Sequence, residues 1–123
     1  MFNQRVPSDI VKAVFHYLGK CEFSANMPKI HKAFYEIYKR SEFSKLFNDM
    51  VFDTSKVFPY SPTIRYALDR LQKSDLLLCN MLSDSYEVPD VLAKSPDIKE
   101  LFSEAERNLL QKSSQIFKQY MRN

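Results

Sequence analysis

Apolar residues recur at helical spacing in four stretches of this chain, and in a fifth they form a continuous run. In SDIVKAVFHYLGK, residues 8 to 20, Ile10, Val11, Val14, Phe15 and Leu18 share one face of a 3.6-residue repeat. Ser8 is placed to cap the start of that helix and Gly19 its end. In MPKIHKAFYEIYKRS, residues 27 to 41, Ile30, Ala33, Phe34 and Ile37 follow the i, i+3, i+4, i+7 pattern, and Pro28 suits the first turn. EFSKLF, residues 42 to 47, predicts a short third helix. Residues 49 to 62, DMVFDTSKVFPYSP, mix strand-like pieces with turn residues. Ser61 and Pro62 then open a helix over 62 to 74, with Ile64, Ala67, Leu68 and Leu71 inward and Arg65, Tyr66, Asp69, Arg70, Gln72 and Lys73 outward.

The continuous run is LLLCNML, residues 76 to 82, followed by the turn-forming SDS and by YEV. That order predicts a β-hairpin ended by Pro89. Ser95 and Pro96 open a short helix to about Phe102. Ser103 and Glu106 have the spacing of a capping box, in which each side chain satisfies the other residue's free amide. The last helix, 104 to 121, carries Leu109, Leu110, Ile116, Phe117, Tyr120 and Met121 as one apolar stripe. Helix, helix, short helix, helix, hairpin, long helix is the order of a mainly α winged helix-turn-helix with a C-terminal helical extension. The expected division is a winged-helix part over 1 to 88 and an extension over 89 to 123 within one structural domain. The helix before the wing is expected to pack on the first two.

Composition narrows the chemistry. A chain of 123 residues with ten Phe and seven Tyr has enough aromatic area for one core. Its single glycine, Gly19, is too few for phosphate-binding loops, which need several for close backbone approach. No apolar run reaches the roughly 18 residues of a membrane span. The opening MFNQRVPSDI lacks the apolar centre of a secretion signal. Cys21 and Cys79 stand alone and far apart, which fits thiols kept reduced in a cytoplasmic setting. His16, Cys21, His31 and Cys79 form no metal-ligand spacing, and no carboxylate cluster suggests acid–base work, so neither a metal, a cofactor nor catalysis is expected. His16 and His31 are expected to be partly exposed and Cys79 a small buried hydrophobe.

FPYSPTIRYALDRLQKSDLL, Phe58 to Leu77, resembles the stretch "aromatic, Gly-Pro-Tyr-Ser, helix, Leu-Leu" of the SocA/GepA-like (Panacea) family, with Phe58 standing where the family has glycine. IVKAVFHYL and MPKIHKAFYEIY are similar to that family's two opening helices, and Val51 to Asp53 sit where it has a short strand. The resemblance covers about residues 8 to 88. It implies a winged-helix-like module without catalysis, of a kind in which some members act as antitoxins or adaptors that bind another protein.

The candidate site residues are charged or apolar rather than catalytic. Arg65, Tyr66, Arg70 and Lys73 on helix 62 to 74 are of the types that enter a major groove and read guanine or neutralise phosphate. Lys29, Lys32, Lys39 and Arg40 would touch the backbone of double-stranded DNA. Against this, residues 75 to 88 carry Asp75, Asp84 and Glu87 and no cation, so a wing there would meet phosphates with like charge. The Phe34 ring is assigned to the core, and Tyr35 lies off the stripe. The stripe of Leu109, Leu110, Ile116, Phe117 and Tyr120 either forms a homodimer or folds back on the monomer. Two readings stand, the first ranked ahead: a regulatory module that binds double-stranded DNA through helix 62 to 74, and, as the alternative, a protein-interaction module using the acidic hairpin and the apolar tail.

Overall fold

A computed structural model describes residues 5 to 122 of the chain. The elements run α1 (Ser8–Leu18), β1 (Cys21–Ser24), α2 (Met27–Tyr38), a single 3₁₀ turn (Ser41–Phe43), α3 (Pro62–Lys73), β2 (Leu78–Asn80), β3 (Ser85–Val88), α4 (Asp90–Ala93), α5 (Asp97–Leu101) and α6 (Glu104–Arg122). The result is mainly helical with one small antiparallel sheet. Within that sheet β3 lies between β1 and β2. Cys21 pairs with Val88 and Phe23 with Tyr86 on one side of β3, and Cys79 pairs with the same Tyr86 on the other. The expected hairpin is β2–β3; β1 is a third strand that the residue pattern did not announce.

Local chemistry explains where the helices start and stop. α1 begins one residue early. Pro7 is already helical, so Ser8 lies inside the helix and no side chain caps its first amides; the Asp9 carboxylate instead reaches back to accept the Val6 N–H at 2.9 Å. Gly19 ends α1 at φ 74°, ψ −176°, a region open to glycine and strained by about 1–3 kcal/mol for other residues. α2 is capped by Asn26, whose side chain accepts the Lys29 N–H at 2.9 Å, with Pro28 in the first turn. α3 stops at Asp75, which takes up a left-handed φ of 59°, and the amides of Leu76 and Leu77 turn back to the Leu71 carbonyl. The capping box of α6 forms as expected. The Ser103 N–H donates to the Glu106 carboxylate at 2.9 Å, and the Glu106 N–H donates to Ser103 Oγ at 3.2 Å.

The core is built on aromatic rings. Phe117 of α6 lies 5.6 Å from Phe15, 5.4 Å from Phe23 and 5.0 Å from Phe34, centroid to centroid. Those three come from α1, β1 and α2, so one ring ties four elements together. α6 packs on both α1 and α2 along its length, with Leu110 and Phe117 fully buried. Residues 89 to 122 are therefore part of the central core rather than an appendage, and they fold back on their own chain. The segment after α2 forms only the 3₁₀ turn rather than a helix over 42 to 47. It nonetheless sends Phe43, Leu46, Phe47 and Met50 inside. α3 packs on α1; α2 finds its main partner in α6. The expectation that α3 rests on both opening helices is met chiefly by α1; α2 reaches α3 near its own start, where Met27 lies beside Leu68 and His31 accepts the Ser61 N–H.

Phe117→Ala should remove this hub. The expected loss is about 3–5 kcal/mol, seen as a lower urea midpoint with unchanged slope. An unaltered midpoint would show that α6 is not central to the core.

Candidate functional site

α3 presents the outer face that the residue pattern assigns to it. Arg65, Tyr66, Asp69, Arg70 and Lys73 are exposed, whereas Ile64, Ala67, Leu68 and Leu71 are buried. Gln72 is the exception. Its amide donates to the Leu68 carbonyl at 3.1 Å and approaches the Tyr86 hydroxyl at 3.5 Å, which turns it toward the sheet. Arg65 is 3.8 Å from Asp69 one turn on, an exposed pair of small energetic weight. Arg70 lies over the Tyr66 ring at 5.6 Å and contacts its hydroxyl at 3.4 Å. The two arginines lie on opposite flanks: Arg65 beside Met27 and Tyr86, Arg70 beside Asp9 and Lys12.

The basic residues of α2 do not gather into one strip with them. Lys29 is at the Arg65 end of α2. Lys39 and Arg40 lie beyond the other end, about 16 Å along the axis at 1.5 Å per residue. Lys39 is held there by Glu36 at 3.0 Å and by the face of Tyr35 at 5.0 Å. Lys32 is exposed between them. Tyr35, open in the sequence, packs against Tyr38 and Phe52.

The hairpin after α3 has a different character. All three residues of β2 are exposed, and among the described residues no strand pairs with its outer side. The turn that follows shows Met81 at 88% and Leu82 at 101% exposure, with Leu78 at 40%. Cys79 is exposed and not the buried hydrophobe expected, because the apolar run LLLCNML buries only Leu77 fully and then leaves the core along an edge strand. Cys21 and Cys79 flank β3 on opposite sides. Two strand spacings of about 4.8 Å put them beyond disulfide reach, and both are free thiols. On the other sheet face Glu22 sits directly across from Glu87, which adds like charge to a hairpin that already carries Asp75 and Asp84.

Of the stripe on α6, Leu110 and Phe117 are spent in the monomer's own core, while Leu109, Ile116 and Tyr120 keep part of their surface. Among the described residues no three His, Cys, Asp or Glu side chains converge as a metal site. Among the described residues no helix is long and apolar enough to cross a membrane.

His31 is the residue whose role the sequence hid. It is buried, not partly exposed, and joins α2 to the start of α3. Its Nδ1 accepts the Ser61 N–H at 3.0 Å, its ring stacks on Tyr60 at 5.0 Å, and Phe58 meets it edge-on at 5.5 Å. Ser61 is thus placed by its backbone. Its hydroxyl is buried without a partner and caps nothing, contrary to expectation. Burial, with a smaller push from Arg65, lowers the His31 pKa to about 4. The neutral ring with its lone pair on Nδ1 is the form that holds this junction.

Family models, curated proteins and solved structures were compared with the chain, and none of them matches it.

Because the folded chain takes up the His31 proton near pH 4 and the unfolded chain near 6.5, stability contributed by the neutral ring is full above pH 6.5. It falls as pH drops toward 4. His31→Asn keeps an acceptor for Ser61 but cannot titrate. The wild type should lose roughly 3 kcal/mol more than this variant between pH 6.5 and 4 in urea titrations. Parallel pH profiles for the two proteins would refute the assignment.

Proposed function

We propose that the chain is a non-catalytic winged-helix module that binds another protein through the edge of its hairpin. The observation that carries this reading is the exposure of β2 and of the Met81–Leu82 turn at an unpaired sheet edge. Protein sheets usually blunt such an edge with charge or proline; here apolar side chains stand on it instead. An extended partner segment adds to an edge of this kind through main-chain hydrogen bonds, and pockets for alternate side chains give selectivity. Asp75, Asp84 and Glu87, with no Lys or Arg from 75 to 88, favour a segment that alternates apolar residues with cations.

The winged-helix assignment rests on the order helix, strand, helix, helix, hairpin and on β3 as the central strand. The connection from Lys39 to Ser61 is longer than the turn of about 3–4 residues in a helix-turn-helix. The resemblance of Phe58 to Leu77 to the SocA/GepA-like family supports the same reading, since it implies partner binding without catalysis.

The exposure of Arg65, Tyr66, Arg70 and Lys73 on the helix before the hairpin favours a second reading, binding of double-stranded DNA by α3. It ranks lower because the cations sit on opposite flanks, one is paired to Asp69, and the wing is acidic.

A photo-crosslinking residue at position 82, compared in native extract with one at exposed Lys112 on α6, separates the two. A discrete protein adduct from position 82 that is absent from 112 and lost in Met81→Asp supports the edge site. The same adducts from both positions, or none, would overturn it. In parallel, DNA binding by α3 predicts duplex affinity that falls steeply with salt and weakens in Arg65→Ala and Arg70→Ala at unchanged melting temperature.

A further inference from the structure

On a different part of the molecule, a cleft of about 540 Å³ opens between the end of α1, the α4–α5 corner and the first turns of α6. Its lining carries three cations, Lys94, Lys99 and Arg107, against one carboxylate, Glu104. Among the described residues, none of the three faces a carboxylate within 4 Å, as Arg5, Lys12, Lys20, Lys39 and Arg65 do. Arg107 is also half-buried, and its Nε–H is shut away from solvent without an acceptor. Three like charges lining one concave surface repel one another, and an anion seated among them relieves that repulsion.

The remaining lining describes the rest of the ligand. The cleft falls within the size range of small-molecule sites, roughly 300–1,000 Å³, and is far larger than a bare phosphate. His16 donates its Nδ1–H to the Leu92 carbonyl at 2.8 Å, which leaves Nε2 as the ring's other polar atom. Tyr17 meets that ring edge-on at 4.7 Å. Asn108 and Gln111, one turn apart on α6, supply amides that both donate and accept. Cations, an aromatic wall and paired amides in one cleft suit a phosphate joined to a flat polar ring.

We infer that this cleft binds a mononucleotide-sized organic phosphate, its phosphate held by Lys94, Lys99 and Arg107 and its ring placed by Tyr17, Asn108 and Gln111. This site is separate from the hairpin edge and does not depend on the reading given to that edge.

The test is isothermal titration of the full chain with the four ribonucleoside monophosphates, the matching nucleosides and inorganic pyrophosphate. At least one monophosphate should bind saturably. Its affinity should fall about tenfold or more when the phosphate is removed, and by a similar factor in Lys94→Gln/Lys99→Gln. Both lysines are exposed, so this double variant retains the fold; a melting curve checks it. Arg107→Gln should lose binding as well. No saturable binding by any monophosphate at about 5 mM, affinity unchanged in the lysine variant, or pyrophosphate bound as tightly as every nucleotide would overturn the inference.

Discussion

The fold hangs on the meeting of Phe117 with Phe15, Phe23 and Phe34. Each ring pair contributes about 0.5–1.5 kcal/mol beyond its buried area, and together they fix how α1, β1, α2 and α6 sit against one another. The same cluster explains the sheet. Phe23 pins β1 to the core, and its contact with Tyr86 at 5.9 Å carries β3 along. β2 lies one strand further out and has no buried side chain of its own. What holds it is its pairing to β3, so the outer strand is the part of the sheet with surface to spare.

A second constraint operates at the other end of α2. The long connection from Lys39 to Ser61 has to return the chain to the start of α3 at a defined angle. It does so with the Asp53–Tyr60 bridge, the buried Phe43, Phe47 and Met50, and the His31 ring wedged between Tyr60 and Phe58. Nδ1 can accept from Ser61 only while it carries no proton. The polar contact and the apolar cage therefore demand the same neutral ring. This junction, not a tight turn between helices, sets where the face of α3 points.

The long helices were legible because their periods are long. α1, α2, α3 and α6 each repeat an apolar face over three turns or more, and Ser103 with Glu106 announced the start of α6. β1 was not legible. Cys21, Glu22, Phe23 and Ser24 do alternate apolar and polar, but over four residues only, and they follow the helix-ending Gly19 like an ordinary loop. Cys79 misled for the opposite reason: a run of apolar residues looks buried, and nothing local says that the strand it forms is an edge. His31 was assigned outward by polarity, although it sits three residues before Phe34 and adjoins Ile30 on the apolar side of α2. The signal available was the Pro-Tyr-Ser segment, whose amides and rings need a partner, but only the tertiary fold brings it to position 31. The candidate cations were easy to find in the chain and hard to group. Helix faces say which residues are exposed, not which helices share a surface, and the length of α2 puts Lys39 and Arg40 at the end away from Arg65.

Charge then separates the two surfaces that flank the sheet. Salt-sensitive affinity for a phosphate backbone grows with the number of cations that can reach it together. On α3 that number is reduced by Asp69, which lies close to Arg65, and by the flank-to-flank separation of Arg65 and Arg70. The next element in the chain adds Asp75, Asp84 and Glu87, and Glu22 stands across from Glu87. A duplex laid along α3 and the hairpin would gain a few partial neutralisations and bring its phosphates against carboxylates. An extended polypeptide laid along β2 would meet none of that repulsion: its amides would pair with the free edge, its apolar side chains would cover Leu78, Met81 and Leu82, and its cations would face the acidic hairpin. In the reading proposed above, the same acidic residues that count against DNA would select such a partner.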